Sequence, residues 1–193
     1  MKILGKFLLK LGGFHLHKDF DVKMKNAVII EAPHTSMWDF IIGRAGLWVL
    51  GIKCHFLIKK ELFFFPLGLV LRSLGAVPVN RGKDGKGFFD DIIKELSSNK
   101  NFSLVLTPEG TRKRNNNWKK GYYFIAQQSN KPIFMAWIDY KKKECGVNPQ
   151  PIYPTGNYSE DFVVIENFYR GISAKHPEGF NLTPKETNNV SLM

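Results

Sequence analysis

The stretch "AVIIEAPHTSMWDFIIGRAGLWVLG", residues 27–51, changes its hydrophobic rhythm once. Ala27 to Ala32 is an apolar run interrupted only by Glu31, the pattern of a strand buried on both faces. From Ser36 the sequence reads as a helix, with Thr35 or Ser36 as its cap and Gly51 at its close. A buried strand feeding a helix through a short turn is the unit from which α/β layers are built. The turn holds His34 directly after Pro33, and Asp39 follows inside the helix.

The remainder of the chain repeats the alternation. "CHFLIK" reads as a strand, "LFFFPLGLVLRSLG" as a helix broken or started at Pro66, and "AVPV" as a short strand. After the loop "NRGKDGKG" comes "FFDDIIKELSSN", an amphipathic helix with Phe88, Phe89, Ile92, Ile93 and Leu96 on one face. "FSLVLT" is a strand, "PEGTRKRNNN" a polar loop, "KKGYYFIAQQSN" a helix and "PIFMAWIDY" a strand. Strands and turns are expected after that, then a helix over residues 159–171 and a loosely held tail. The expected fold is a single α/β domain: a mostly parallel or mixed central sheet flanked by helices, preceded by a short amphipathic helix. The division is residues 1–13 for that helix, 14–173 for the α/β domain and 174–193 for the tail.

Length and charge narrow the function. At 193 residues one domain is expected, and a hydrophobic fraction of 44% supplies a core. Lys and Arg number 28 against 17 Asp and Glu, a net charge of +11. That balance favours anionic partners: nucleic acid, an acidic membrane face or phosphorylated substrates. Two distant cysteines, Cys54 and Cys145, have no CxxC or zinc spacing and read as reduced thiols. No apolar run approaches the ~20 residues that span a bilayer. Lys6 and Lys10 interrupt the N-terminal apolar segment, so it does not read as a signal peptide. A cytoplasmic protein is expected, peripheral on the cytoplasmic face of a membrane. In the first helix Ile3, Leu4, Phe7, Leu8 and Leu11 recur at helical spacing, with Lys2, Lys6 and Lys10 elsewhere. Such a helix docks on the core or lies in a lipid interface; the sequence supports both readings.

Positions five apart on a regular helix lie about 140° apart, so His34 and Asp39 cannot meet as helix neighbours. With His34 in the turn and Asp39 one turn into the helix, the imidazole can fold back so that Asp39 accepts the Nδ1 proton and Nε2 acts as a base. A structural turn histidine is the plain alternative. No GxSxG elbow supplies a nucleophile, and Ser36 sits where a cap is the commoner job, so a substrate alcohol is the expected nucleophile. Three strand ends present cations: Lys59, Arg81, and Arg112 in "TPEGTR". Strand carboxyl ends of an open sheet line one crevice, although solvated surface charge accounts for most lysines in a chain like this one. Within "TPEGTR", Gly110 permits a tight path, Arg112 can fork onto phosphate oxygens, and Glu109 can bind a hydroxyl, orient an arginine or hold a metal. His15 and His17 alternate as on a strand, with no third metal ligand nearby.

The order HxxxxD, KKEL, Gly75 with Arg81 six residues on, PEGTR, KKG and a Pro-led strand resembles the glycerophospholipid acyltransferase family, the lysophosphatidic acid acyltransferase-like group. The likeness covers roughly Ala27 to Trp137. It implies a fatty acyl group moved from an acyl thioester, acyl-CoA or acyl carrier protein, to the hydroxyl of a lysophospholipid-type acceptor such as 1-acyl-glycerol-3-phosphate. It implies His34 as general base and Asp39 as its orienting partner. Lys59, Arg81, Glu109, Gly110, Thr111 and Arg112 are implied as the acceptor site, the cations cradling its phosphate. No metal or redox cofactor is implied. Family members often carry an N-terminal membrane segment; this chain has the short charged helix, and Phe63, Phe64 and Phe65 are further candidates for lipid contact. Two rival classes stand beside this reading. One is a metal-dependent hydrolase using His34, Asp39 and Glu109; the other is a basic nucleic-acid-binding protein, for which no recognised motif appears.

Overall fold

The computed structural model describes residues 1–17, 24–79 and 85–182. The chain begins with helix α1 (Lys2–Leu11) and a two-residue strand β1 (His15–Leu16). Then come β2 (Val28–Glu31), α2 (Met37–Leu50), β3 (His55–Lys59), α3 (Leu67–Ser73), β4 (Ala76–Val79) and α4 (Gly85–Ser98). The rest is β5 (Leu104–Leu106), α5 (Gly121–Ser129), β6 (Ile133–Asp139), β7 (Glu144–Val147) and α6 (Tyr158–Tyr169). Short 3-10 turns cover Lys60–Leu62 and Pro177–Gly179.

The seven strands form one sheet in the order β1-β7-β6-β2-β5-β3-β4. All neighbours are parallel except β6 and β7, which run antiparallel. The sheet is thus mixed, as the strand–helix alternation predicts. The βα alternation produces the parallel part, because a parallel neighbour needs a crossover, while β6 and β7 need only the turn at residues 140–143. β2 sits inside the sheet, between β5 and β6, and all four of its residues are buried.

The two faces have separate cores. Val28, Ile30, Leu104, Ile133 and Met135 meet Leu96 of α4, Tyr122 and Ile125 of α5, and Ile165 and Tyr169 of α6. On the other face, Ile29, Phe134, Ala136 and Val147 meet Leu47 of α2. The same helix turns Ile42 and Ala45 toward Leu9 and Phe14, at α1 and just beyond it. The three helices flanking one face thus come late in the chain, and α2 covers the other face with α1 stacked on it. The N-terminal helix therefore docks on the core, yet it keeps Ile3, Phe7 and Leu11 exposed.

The segment that reads as a tail is anchored where it is described. Trp118 Nε1 donates to the Asn181 carbonyl at 3.0 Å, and Phe180 and Leu182 pack on the α4–α5–α6 core. Trp118 itself is buried in that core, next to Phe162 and Tyr169. The loop residues 80–84, Arg81 among them, and residues 183–193 of the tail lie outside the described residues.

Candidate active site

The geometry at His34 starts with how α2 begins. Ser36 is the N-cap: its Oγ accepts the Trp38 N–H at 3.2 Å. Asp39 completes the capping box from inside the helix, its Oδ2 accepting the N–H groups of Ser36 and Thr35, each at 2.7 Å. Its Oδ1 accepts the Tyr140 hydroxyl at 2.6 Å. Three neutral donors thus surround a carboxylate that is fully buried. Among the described residues no arginine or lysine pairs with it.

The imidazole of His34 lies over this carboxylate, with Nδ1 3.6 Å from Asp39 Oδ2. That separation is in ion-pair range and longer than a hydrogen bond. Nδ1 is buried and has no hydrogen-bond partner. Burial is the largest influence on the ring and lowers its pKa; Asp39 pulls it up, and the nearby Arg112 guanidinium pushes it down again. The net is a histidine held below its usual pKa and so neutral near neutral pH.

Glu109 comes to the same place from the end of β5. Its carboxyl is buried, and Oε1 accepts the backbone N–H of His34 at 2.6 Å. This contact joins the two quoted motifs across 75 residues. Burial, with the Asp39 charge adding to it, raises the Glu109 pKa to about 8, although the His34 N–H works the other way. At neutral pH it is therefore a protonated acid that pins the backbone of the turn. Glu31, the last residue of β2, is likewise pushed up to about 8, first by burial and then by Asp39. A Cβ at Gly43 would lie 2.5 Å from both oxygens of the Glu31 carboxyl, so a side chain there would force that carboxyl to shift.

Beyond Glu109 the loop turns at Gly110, with φ +67°, a backbone conformation that favours glycine. Thr111 and Arg112 are exposed on it. Asn115 Nδ2 ties the loop by donating to the Glu109 carbonyl at 2.8 Å. The 3-10 turn Pro177–Gly179 rests against both motifs. The His176 N–H donates to Thr35 Oγ1 at 3.2 Å, and Gly179 packs beside the Arg112 carbonyl.

A cavity of about 510 Å³ opens at this point. His34, Thr107 and Gly110 line its polar end. Its walls are apolar, including Phe40, Phe56, Ile58, Leu67 and Leu71 from α2, β3 and α3. Of the residues that the sequence marks as a site, His34, Asp39, Glu109 and Gly110 are brought together, with Arg112 close enough to act on the imidazole. Lys59, at the end of β3, is exposed and does not line this cavity. Both oxygens of Asp39 accept N–H or O–H donors, Glu109 accepts one N–H through Oε1, and among the described residues no three His, Cys, Asp or Glu side chains are grouped to hold a metal ion. His17 Nδ1 instead meets Glu144 at 2.8 Å, across the β1–β7 pair. Tyr140 and the α3 wall of the cavity escape a reading of motifs, since neither lies near HxxxxD in sequence.

The site is thus a neutral imidazole over a buried carboxylate, beyond the carboxyl end of an inner parallel strand of an α/β sheet and lining a largely apolar cavity. Residues 13–139 match the family model described as Acyltransferase, and the chain belongs to that family. It is 27% identical over 166 residues to the 1-acyl-sn-glycerol-3-phosphate acyltransferase of Limnanthes douglasii, covering 78% of this chain and 56% of that one. It is 30% identical over 166 residues to the protein of the same name from Cocos nucifera, covering 78% of this chain and 51% of that one. The chain thus spans about half the length of the relatives it matches.

Proposed function

We propose that the chain is an O-acyltransferase that moves a fatty acyl group from an acyl thioester to the hydroxyl of a lysophospholipid-type acceptor such as 1-acyl-glycerol-3-phosphate. The observation that carries this reading is the neutral His34 ring, set over Asp39 at the mouth of the apolar cavity. The names of the relatives agree with it.

His34 Nε2 takes the proton of the acceptor hydroxyl as that oxygen attacks the thioester carbonyl. Asp39 stabilises the imidazolium that forms. The carbon–oxygen ester bond forms, the carbon–sulfur bond breaks, and the leaving thiolate takes the proton back from the ring. The oxyanion of the tetrahedral intermediate needs an N–H donor. The amides of His34, Thr35 and Ser36 are committed to Glu109 and Asp39, and that of Trp38 to Ser36. The Met37 amide, first in α2, is the remaining donor of that turn. Arg112 binds the acceptor phosphate; Lys59 and Arg81 are proposed to assist from neighbouring strand ends.

The bilayer supplies the acceptor. Exposed apolar side chains lie on or next to the helices that wall the cavity: Met37, Trp38 and Ile41 on α2, and Phe64, Phe65 and Leu69 just before and on α3. Together with Ile3, Phe7 and Leu11 of α1 and the surplus of lysines, they suit an acidic lipid surface. Among the described residues no helix is long and apolar enough to cross a membrane. Phe63 is only partly exposed, whereas Phe64 and Phe65 reach solvent.

The test is thiol release from acyl-CoA with lysophosphatidic acid offered in acidic or in neutral vesicles. Turnover is expected, faster on the acidic vesicles, and His34→Ala is expected to lower it by at least about two orders of magnitude, the usual worth of a general base. Full turnover by a folded His34→Ala protein would exclude the imidazole as the base.

A further inference from the structure

The cavity beside His34 does not end in apolar side chains. It follows the α2 face of the sheet, where Glu31 of β2, Val105 of β5, and Phe56 and Ile58 of β3 line it. One end is His34 and Gly110, beyond the carboxyl ends of the strands. Cys54 and Arg44, which meet just before β3 begins, line the other. The five residues of β3 separate the two ends by about 16 Å at the usual strand rise.

Arg44 is held firmly there. Its Nη1 donates to Cys54 Sγ at 2.7 Å and to the Cys54 carbonyl at 3.4 Å. The guanidinium lies over the rings of Trp48 and Phe56, 5.2 and 5.8 Å from their centroids. Nε is buried without a hydrogen-bond partner, and among the described residues no carboxylate pairs with the guanidinium. A guanidinium stays charged at any physiological pH. Placed against an apolar cavity with a neutral thiol, a carbonyl and two rings for company, it has donor capacity to spare. A chain ending in a methyl group would dehydrate that charge and give nothing back. A chain ending in an oxygen would supply a charge-assisted hydrogen bond.

We propose that Arg44 is the foot of the acyl channel and selects acyl groups that carry an oxygen acceptor, hydroxyl or carboxylate, at the far end of the chain. This deepens the acyl-transfer reading and rests on it. The far oxygen takes no part in the bond exchange; it fixes how deep the chain sits and hence where the thioester carbonyl meets His34.

The experiment compares acyl-CoA thioesters from octanoyl to hexadecanoyl, each unsubstituted, ω-hydroxylated or ω-carboxylated, with one lysophospholipid acceptor. At the length that fits the channel, the wild-type kcat/KM for one of the oxygenated thioesters is expected to exceed that of the methyl-ended one by about ten-fold, the size of one good hydrogen bond. The better arm tells whether hydroxyl or carboxylate is the ligand. Arg44→Met, which keeps the reach and removes the charge, is expected to abolish the preference. Wild-type protein that treats the chain ends alike at every length, or a preference untouched by Arg44→Met, would overturn the proposal. Thermal shifts with free acids decide the matter if Arg44→Met does not fold or no thioester turns over. ω-Hydroxydodecanoic or ω-carboxy acid stabilising the wild-type protein more than dodecanoic acid supports the subsite, and equal shifts refute it. Absence of turnover with every thioester would count against acyl transfer itself, separately from the subsite.

Discussion

His34 is governed by three influences that do not agree. Burial lowers its pKa, the Asp39 carboxylate raises it, and the Arg112 guanidinium lowers it. In the proposed mechanism the base is the neutral ring, so activity is expected to fall as pH drops through the pKa of His34. A lowered pKa therefore keeps the ring competent further into the acid range than an ordinary histidine. Arg112→Gln removes one lowering influence, and the acid limb of the kcat/KM profile is expected to move to higher pH. Arg112→Lys keeps the charge and is expected to leave the limb close to its wild-type place. The profile should be taken with a phosphate-free lysolipid, so that lost phosphate binding does not mask the shift. An acid limb that stays put in Arg112→Gln would mean that solvent screens Arg112 from the ring, since this arginine is exposed.

Helix α2 concentrates most of the design in one element. Its first turn fixes Asp39, and its inner face supplies Phe40, Arg44 and Leu47 to the cavity. Ser36 at its start has two candidate jobs, cap and nucleophile, and the 3.2 Å bond from the Trp38 amide assigns its oxygen to the cap. Ser36→Ala is expected to cost about 1 kcal/mol, a drop of about 2–4 °C in Tm for a chain of this size, with turnover largely kept. Loss of turnover in a protein that still melts cooperatively would instead make the hydroxyl a participant. This element was also the most legible in the sequence, because a strand, a turn and a capped helix are local patterns. So were the other βα pairs, which periodicity marks residue by residue. Contacts between distant segments leave no such mark. Nothing near "PEGTR" says that Glu109 reaches under the backbone of His34, and nothing near Asp139 says that Tyr140 bonds Asp39 across 101 residues. The β1–β7 pairing and the docking of residues 174–182 on the "HTS" turn were hidden for the same reason: they depend on tertiary packing of polar segments with no period to read.

For the molecule as a whole, the placement of three carboxyl groups in one region couples the site to global stability. Asp39 takes three hydrogen-bond donors, while Glu31 and Glu109 are each pushed up to about 8. In the unfolded chain both glutamates ionise near the ordinary value of 4.5. Between that value and about 8 the folded chain holds protons that the unfolded chain has lost, so folding stability must fall as pH rises across the window, and level off above it. The direction is opposite to that of a salt-bridged carboxylate. Glu31 is the cleaner probe, because its carboxyl makes no hydrogen bond among the described residues, whereas Glu109 holds the His34 backbone. Glutamine has nearly the shape of the protonated acid and cannot ionise. Glu31→Gln is therefore expected to match the wild type near pH 5 and to exceed it near pH 8 by at least about 1 kcal/mol, or 2–4 °C in Tm. The fall of Tm with pH should be shallower in the variant, with Glu109 accounting for what remains. A variant that melts below the wild type at both pH values, with the same slope between them, would show that Glu31 is ionised and held by a partner in the folded chain, and the proton inventory of the site would have to be redrawn around a second buried charge.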